Sequence, residues 1–115
     1  MTALLAARGS ILVHEGDAFA LGRCVAGEAE LLTIAVDPAS QGRGLGRLCL
    51  RRFLDACRDA GADRVFLEVA TSNRAARSLY ETEGFREDGR RKGYYRTSGG
   101  APVDALLMSK ALDGT

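Results

Sequence analysis

The sequence predicts a single α/β domain spanning 1–115, a mixed central sheet flanked by helices in the order β-β-β-α-β-α-β-β. Three observations predict it. Short apolar runs near the start are separated by the turn pairs Gly16-Asp17 and Ala26-Gly27, so the chain opens with antiparallel hairpins. Between Glu30 and Val69 a strand pattern gives way to helical spacing and then returns, which calls for a right-handed crossover between parallel strands. A chain of 115 residues, 46% of them hydrophobic, builds one core.

The elements follow in order. Ser10 to Glu15 reads as a strand, and Ala18 to Val25 as its hairpin partner. Glu30 to Val36 is a third strand, with β-branched Thr33, Ile34 and Val36, and Asp37-Pro38 stops it. A helix from Gly44 to Ala60 carries Leu50, Phe53, Leu54 and Cys57 on one stripe and stops at Gly61. Val65 to Val69 is a strand. Asn73 is placed to cap a helix running to Glu83, with Ala76, Leu79 and Tyr80 on one face, and Gly84 ends it. Phe85 opens another strand, followed by a basic stretch that carries tyrosines. Ala105 to Leu112 is the last strand.

Composition removes several classes. Sixteen basic residues against fifteen acidic ones argue against a charge-driven nucleic-acid or membrane binder. No apolar run reaches the roughly 18 residues of a spanning helix. Three cysteines make no disulfide framework; Cys49 and Cys57 sit about 12 Å apart along one helix, too far to bridge. No His/Cys cluster points to a metal, and His14 reads as a surface or packing residue. The expected compartment is a reducing cytoplasm.

The strongest local signal is Gln41-Gly42-Arg43-Gly44-Leu45-Gly46, between a strand and a helix. Glycines let a ligand approach the backbone, and a helix start offers unpaired N–H groups, so the segment suits a phosphate. A Walker loop needs Gly-Lys-Ser/Thr, whereas Arg47-Leu48 follows here; a Rossmann turn has G-x-G-x-x-G directly after its strand. Neither fits. A glycine-rich helix start without a ligand is the structural alternative. Arg43, Arg47 and Arg51 recur every four residues and are expected on one helix face, where Arg43 and Arg47 are candidates for phosphate contact. Arg51 and Arg52 read as solvated.

The loop resembles the pyrophosphate-binding signature of the GNAT acetyltransferase superfamily, Q-x-x-G-x-G a few residues after a strand ending in Val-Asp-Pro. Asn73-Arg74-Ala75-Ala76-Arg77-Ser78-Leu79-Tyr80, ending at Gly84-Phe85, is similar to the family's N-x-x-A-x-x-L-Y-x-x-x-G-F helix. Arg90-Arg91-Lys92-Gly93-Tyr94-Tyr95 is similar to the RimI-like subgroup that acetylates protein N-termini. The resemblance covers Ser10 to Leu112. It implies acetyl-CoA as co-substrate, no metal, and a protein N-terminal amine as acceptor, a ribosomal protein among the candidates. A small amine or a lysine, or a catalytically weak CoA-binding module, are the alternatives.

It also implies roles residue by residue. Ile34, Ala35 and Val36 would hold the pantetheine arm through their backbone. Gln41, Gly42, Arg43, Gly44, Leu45, Gly46 and Arg47 would hold the pyrophosphate, and Asn73 and Tyr80 would also touch the cofactor. Glu68 lies in an otherwise apolar strand on the face of Phe66; its residue-level reading is either a solvent-facing carboxylate or a general base, and the resemblance favours the base. Tyr80 reads either as a packing tyrosine or as the acid that protonates the departing thiolate. Tyr94 and Tyr95 would shape the acceptor groove. The oxyanion donor is expected to be a main-chain N–H near Val36.

Family members begin with a strand and two helices before the first hairpin. The present chain reaches the hairpin at Ser10, with Ala3 to Ala7 as the one candidate remnant, so the fold is expected to be N-terminally truncated. An exposed edge of that kind favours homodimerisation.

Overall fold

A computed structural model describes residues 9–95 and 99–112. It contains β1 (Ser10–Glu15), β2 (Ala18–Val25), β3 (Glu28–Val36), a 3-10 turn (Pro38–Ser40), α1 (Leu45–Asp59), β4 (Arg64–Ala70), α2 (Arg74–Thr82), β5 (Arg86–Tyr95) and β6 (Val103–Ala111). The expected element order is therefore the observed one. Ala3 to Ala7, and Arg96 of the basic stretch, lie outside the described residues. No described helix is long and apolar enough to cross a membrane.

The described residues divide into two compact units, 9–65 with 111–112 and 66–95 with 99–110. In the first, β1, β2 and β3 are neighbours in that order, and both pairings are antiparallel. Ala26 and Gly27 both have positive φ, 53° and 84°, the geometry of a two-residue turn that matches strand twist. That tight turn sets Glu28 opposite Val25, so β3 starts two residues before the expected Glu30. A bulge follows between Leu21 and Gly22, leaving Leu32 without an opposite residue. Its trace in the sequence is a change of phase, with Ala29 and Leu31 buried first and Ile34 and Val36 half-buried after.

Helix α1 packs on all three strands through Cys49, Leu50, Phe53, Leu54 and Cys57. Phe53 is fully buried, and its ring lies over Gly22. A Cβ at Gly22 would collide with that ring and with the Glu30 carbonyl. Gly22→Ala should therefore lower stability by about 1–3 kcal/mol through overpacking, read as a lower urea midpoint at unchanged slope. An unmoved midpoint would show that both the Phe53 ring and the Glu30 carbonyl have room to shift. The cysteines are free thiols, as expected. Burial, with Cys24 adding and Arg58 opposing, pushes the Cys57 thiol up to about 12.

In the second unit the strand order is β4, β6, β5. Val65, Leu67 and Val69 of β4 are buried, while Phe66, Glu68 and Ala70 are half-buried on the other face, the alternation read from the sequence. Phe85 does not open β5. It is buried beneath the end of α2, and its N–H donates to the Tyr80 carbonyl at 2.9 Å, so the strand starts at Arg86. The basic stretch does not follow that strand but forms it, because backbone pairing with β6 holds Arg90 and Arg91 opposite Leu106 and Ala105. From Arg91 to Tyr95 the strand advances four residues while β6 moves two, Ala105 to Val103. The surplus forms a bulge around Gly93, whose φ is 61° and whose N–H donates to Asp104 Oδ1 at 2.9 Å.

Candidate active site

The first unit presents the glycine loop. Asp37 ends β3 and caps the 3-10 turn, its Oδ1 accepting from the Ala39 N–H at 2.9 Å. The buried Ser40 donates from Oγ to Asp17 Oδ2 at 2.8 Å, and the Asp37 N–H donates to the Asp17 carbonyl at 2.9 Å. The turn after β1 thus anchors the segment that leads into the loop. Neither Asp17 nor Ser40 stands out in the sequence, because the tie spans 23 residues and follows no periodicity.

Gln41 turns its side chain back, Nε2 donating to the Val36 carbonyl at 3.4 Å, and so braces the loop to the end of β3. Gly42 and Gly44 have φ of 82° and 77°, where a side chain brings strain. Among the described residues, a Cβ at either would meet nothing within 4 Å. Backbone conformation, not crowding by those residues, calls for glycine here, and they leave the space over both open to a ligand. Gly44 also sets where α1 begins. It is the N-cap, with no side-chain hydrogen bond, and its carbonyl takes the first helical bond from Leu48 at 3.1 Å. A helix start left uncapped by side chains suits an anion. Because the helix starts at Leu45, the exposed Arg43 lies in the loop and not on the face shared by Arg47 and Arg51. Arg52 is on the solvated side as expected, paired with Glu15 at 3.2 Å.

The second unit holds the candidate chemistry. Asn73 caps α2, its Oδ1 accepting from the Ala76 N–H at 3.2 Å. Tyr80 is the buried residue of that helix, its ring edge-on to Phe85 with centroids 5.7 Å apart. Burial raises its phenol above the usual range, and its hydroxyl makes no hydrogen bond among the described residues. The neutral phenol is therefore the stable form and has a proton to give.

Glu68 gathers three residues of β5 about it. Its Oε1 lies 3.6 Å from Arg91 Nη2, and its side chain is 28% exposed. The Arg91 guanidinium stands 5.1 Å from the centre of the Tyr94 ring, which meets the Tyr95 ring edge-on at 5.2 Å. The Tyr95 phenol is raised by burial, then by Glu68 and by Tyr94. Three residues singled out separately in the sequence, Glu68, Tyr94 and Tyr95, thus form one cluster. Arg91, which sequence reasoning left among the basic residues, is its link. Tyr94 is 51% exposed while Tyr95 is half-buried, so the pair offers both an accessible and a fixed ring.

Comparison with known proteins bears on these two halves. Residues 7–85 match the Acetyltransferase (GNAT) family. The chain belongs to the GNAT acetyltransferase family. Among GNAT relatives, the N-alpha-acetyltransferase RimI of Mycobacterium tuberculosis is 48% identical over 102 residues, which is 89% of this chain and 61% of that protein. The crystal structure of the ribosomal-protein-S18-alanine N-acetyltransferase from Escherichia coli superposes with a TM-score of 0.86 at 37% identity, covering 96% of this chain and 74% of that one. A putative acetyltransferase from Salmonella typhimurium, crystallised with its cofactor acetyl-CoA, gives a TM-score of 0.74 at 26% identity over 86% of this chain and 60% of its own. The expected GNAT fold is the fold of this chain. It spans about three fifths of the Mycobacterium relative's length.

Proposed function

We propose that this chain transfers the acetyl group of acetyl-CoA to the α-amine of a protein N-terminus, with a ribosomal protein as the acceptor to test first. The observation that carries the proposal is the half-buried Glu68 carboxylate joined to Arg91, Tyr94 and Tyr95 in a GNAT chain. The activities of the Mycobacterium and Escherichia coli relatives support the choice of acceptor.

An α-ammonium has a pKa of about 7.7–8.0, so the acceptor has to lose a proton before it attacks. Glu68 takes that proton, through a water where the amine does not reach it. The amine nitrogen then bonds to the acetyl carbon, the carbon–sulfur bond breaks, the Tyr80 hydroxyl gives its proton to the departing sulfur, and the second proton that the nitrogen sheds in becoming an amide restores the Tyr80 phenol. Acetyl-CoA supplies the activated thioester, so no covalent enzyme intermediate is needed. The open backbone of Gln41 to Arg47, with Gly42 and Gly44 in left-handed geometry, fits its pyrophosphate. Ile34, Ala35 and Val36 offer main-chain groups to the pantetheine arm, and the oxyanion donor is assigned to a main-chain N–H near Val36. Asn73 has its amide nitrogen left for the same cofactor. Tyr94 and Tyr95 border the acceptor.

Arg91 would then share Glu68 with the incoming ammonium. A partly exposed ion pair is worth only about 0.2–1 kcal/mol, so the acceptor can displace it. Arg91→Gln should accordingly lower the acceptor KM by no more than about fivefold with kcat retained, and weaken the salt dependence of kcat/KM. A collapse of kcat would show that Arg91 positions the base and is not exchanged. The proposal as a whole is tested by mixing the chain with acetyl-CoA and an alanine-starting peptide. A mass gain of one acetyl group on the α-amine is expected. Acetyl-CoA binding without transfer to that peptide, to a lysine peptide or to small amines would leave a cofactor-binding module instead.

A further inference from the structure

Strand β5 leaves regular pairing just where it carries its two tyrosines. Arg91 is opposite Ala105 and Tyr95 is opposite Val103, so Lys92, Gly93 and Tyr94 stand against Asp104 alone. A bulge of this kind leaves main-chain groups without a ladder partner, to be satisfied by side chains or water. Here a side chain takes that part. The half-buried Asp104 accepts the Gly93 N–H at Oδ1, 2.9 Å away. The Asp104 carbonyl accepts the Thr71 N–H, also at 2.9 Å, and Thr71 directly follows β4. One residue thus ties the bulge of β5 to the strand that carries Glu68.

Side-chain packing does little to fix Tyr94, whose ring is exposed. The backbone before it is specified more tightly. Gly93 is left-handed, and a Cβ there would stand 3.4 Å from Pro102 Cβ. Asp104 makes no ion pair among the described residues, so its oxygen, and not its charge, is what the bulge uses. We propose that Asp104 is a positioning residue for the acceptor, an inference resting on the assignment of Tyr94 and Tyr95 to the acceptor's border. By holding Gly93, it sets Tyr94 in place relative to Glu68. Arg91 and Tyr95 keep their own partners on β6, so loss of the Asp104 bond displaces Tyr94 and leaves the Glu68–Arg91 pair standing.

The test is steady-state kinetics of the chain with acetyl-CoA and an alanine-starting peptide. Asp104→Ala should raise the acceptor KM about tenfold, with kcat and the KM for acetyl-CoA within about twofold of the parent. Asp104→Asn keeps an oxygen for the Gly93 N–H and should bring the acceptor KM back to within about threefold. Gly93→Ala leaves Asp104 in place but strains the left-handed backbone, so it should raise the acceptor KM by the same route. That variant carries the test if Asp104→Ala is too unstable to assay. An acceptor KM unmoved in both alanine variants would overturn the proposal. So would a fall in kcat with both KM values raised, the mark of a general loosening.

The tyrosine rings give a readout that needs no turnover. The chain has three tyrosines, so ¹³C-labelled rings give few signals. In Asp104→Ala the Tyr94 signals should shift, those of Tyr95 should shift less, and those of Tyr80 should stay. Should the parent transfer no acetyl group to any acceptor, the proposed function fails by itself, and the rings still decide on Asp104. Unmoved Tyr94 signals overturn its positioning role, and signals that move in Asp104→Ala and return in Asp104→Asn support it.

Discussion

Glu68→Gln is expected to lower kcat/KM for an alanine-starting peptide by about 100- to 10,000-fold at pH 7. Glutamine keeps the size and hydrogen bonding of the side chain but takes no proton. The substitution therefore removes proton acceptance while leaving the strand face of Phe66 and Glu68 packed as before. At pH 7 most of the acceptor is ammonium, so the loss is greatest there. Above about pH 9 the free amine predominates, and the difference between variant and parent should narrow. A loss of equal size at every pH would mean that Glu68 orients the acceptor and that the proton leaves by another route. The loss of the charge also frees Arg91, so the Glu68→Gln, Arg91→Gln pair should be far from additive.

Tyr80→Phe is expected to reduce kcat about 100-fold while the affinity for CoA changes by less than about twofold. Phenylalanine keeps the edge-on contact with Phe85, so α2 stays seated and the effect reads as loss of the hydroxyl. Full turnover in the variant would remove Tyr80 as the acid. The same hydroxyl carries a stability signature. Burial raises its folded-state pKa, so the native chain holds this proton more tightly than the unfolded one. The associated stability is present below the unfolded value of about 10 and is lost as pH climbs past it toward the raised folded value. Urea midpoints taken at about pH 8 and about pH 10.5 should fall in the parent and fall less in Tyr80→Phe.

The parts of the fold marked by local chemistry were legible in the sequence. Turn pairs located the hairpins, the alternation of Val65, Leu67 and Val69 put Glu68 on the opposite face, and Asn73 announced the start of α2. The presence of strand β5 was legible but its extent was not, because almost none of it is buried; main-chain pairing to β6 holds it, and two irregularities reset its phase. Arg43 was misplaced for a related reason. Its spacing fits a helix, yet Gly44 in left-handed geometry delays the helix by one residue beyond it. At the candidate site the residue types could be read, but their grouping could not. Arg91 and Glu68 stand 23 positions apart, as do Asp17 and Ser40, and pattern along the chain carries no information about such pairs.

The bulge in β5 has a consequence for how acceptor preference can change. Its surplus residues sit between Arg91, paired with Ala105, and Tyr95, paired with Val103, and Asp104 holds them from the neighbouring strand. Lengthening or shortening this stretch moves Tyr94 and its ring without sliding β6 past β5, because the pairing resumes on either side. With Tyr94 bordering the acceptor, as proposed, selectivity and folding would be uncoupled at this point. A library varied only in 92–94, with Asp104 retained, should yield proteins that stay folded yet differ in the peptides they accept.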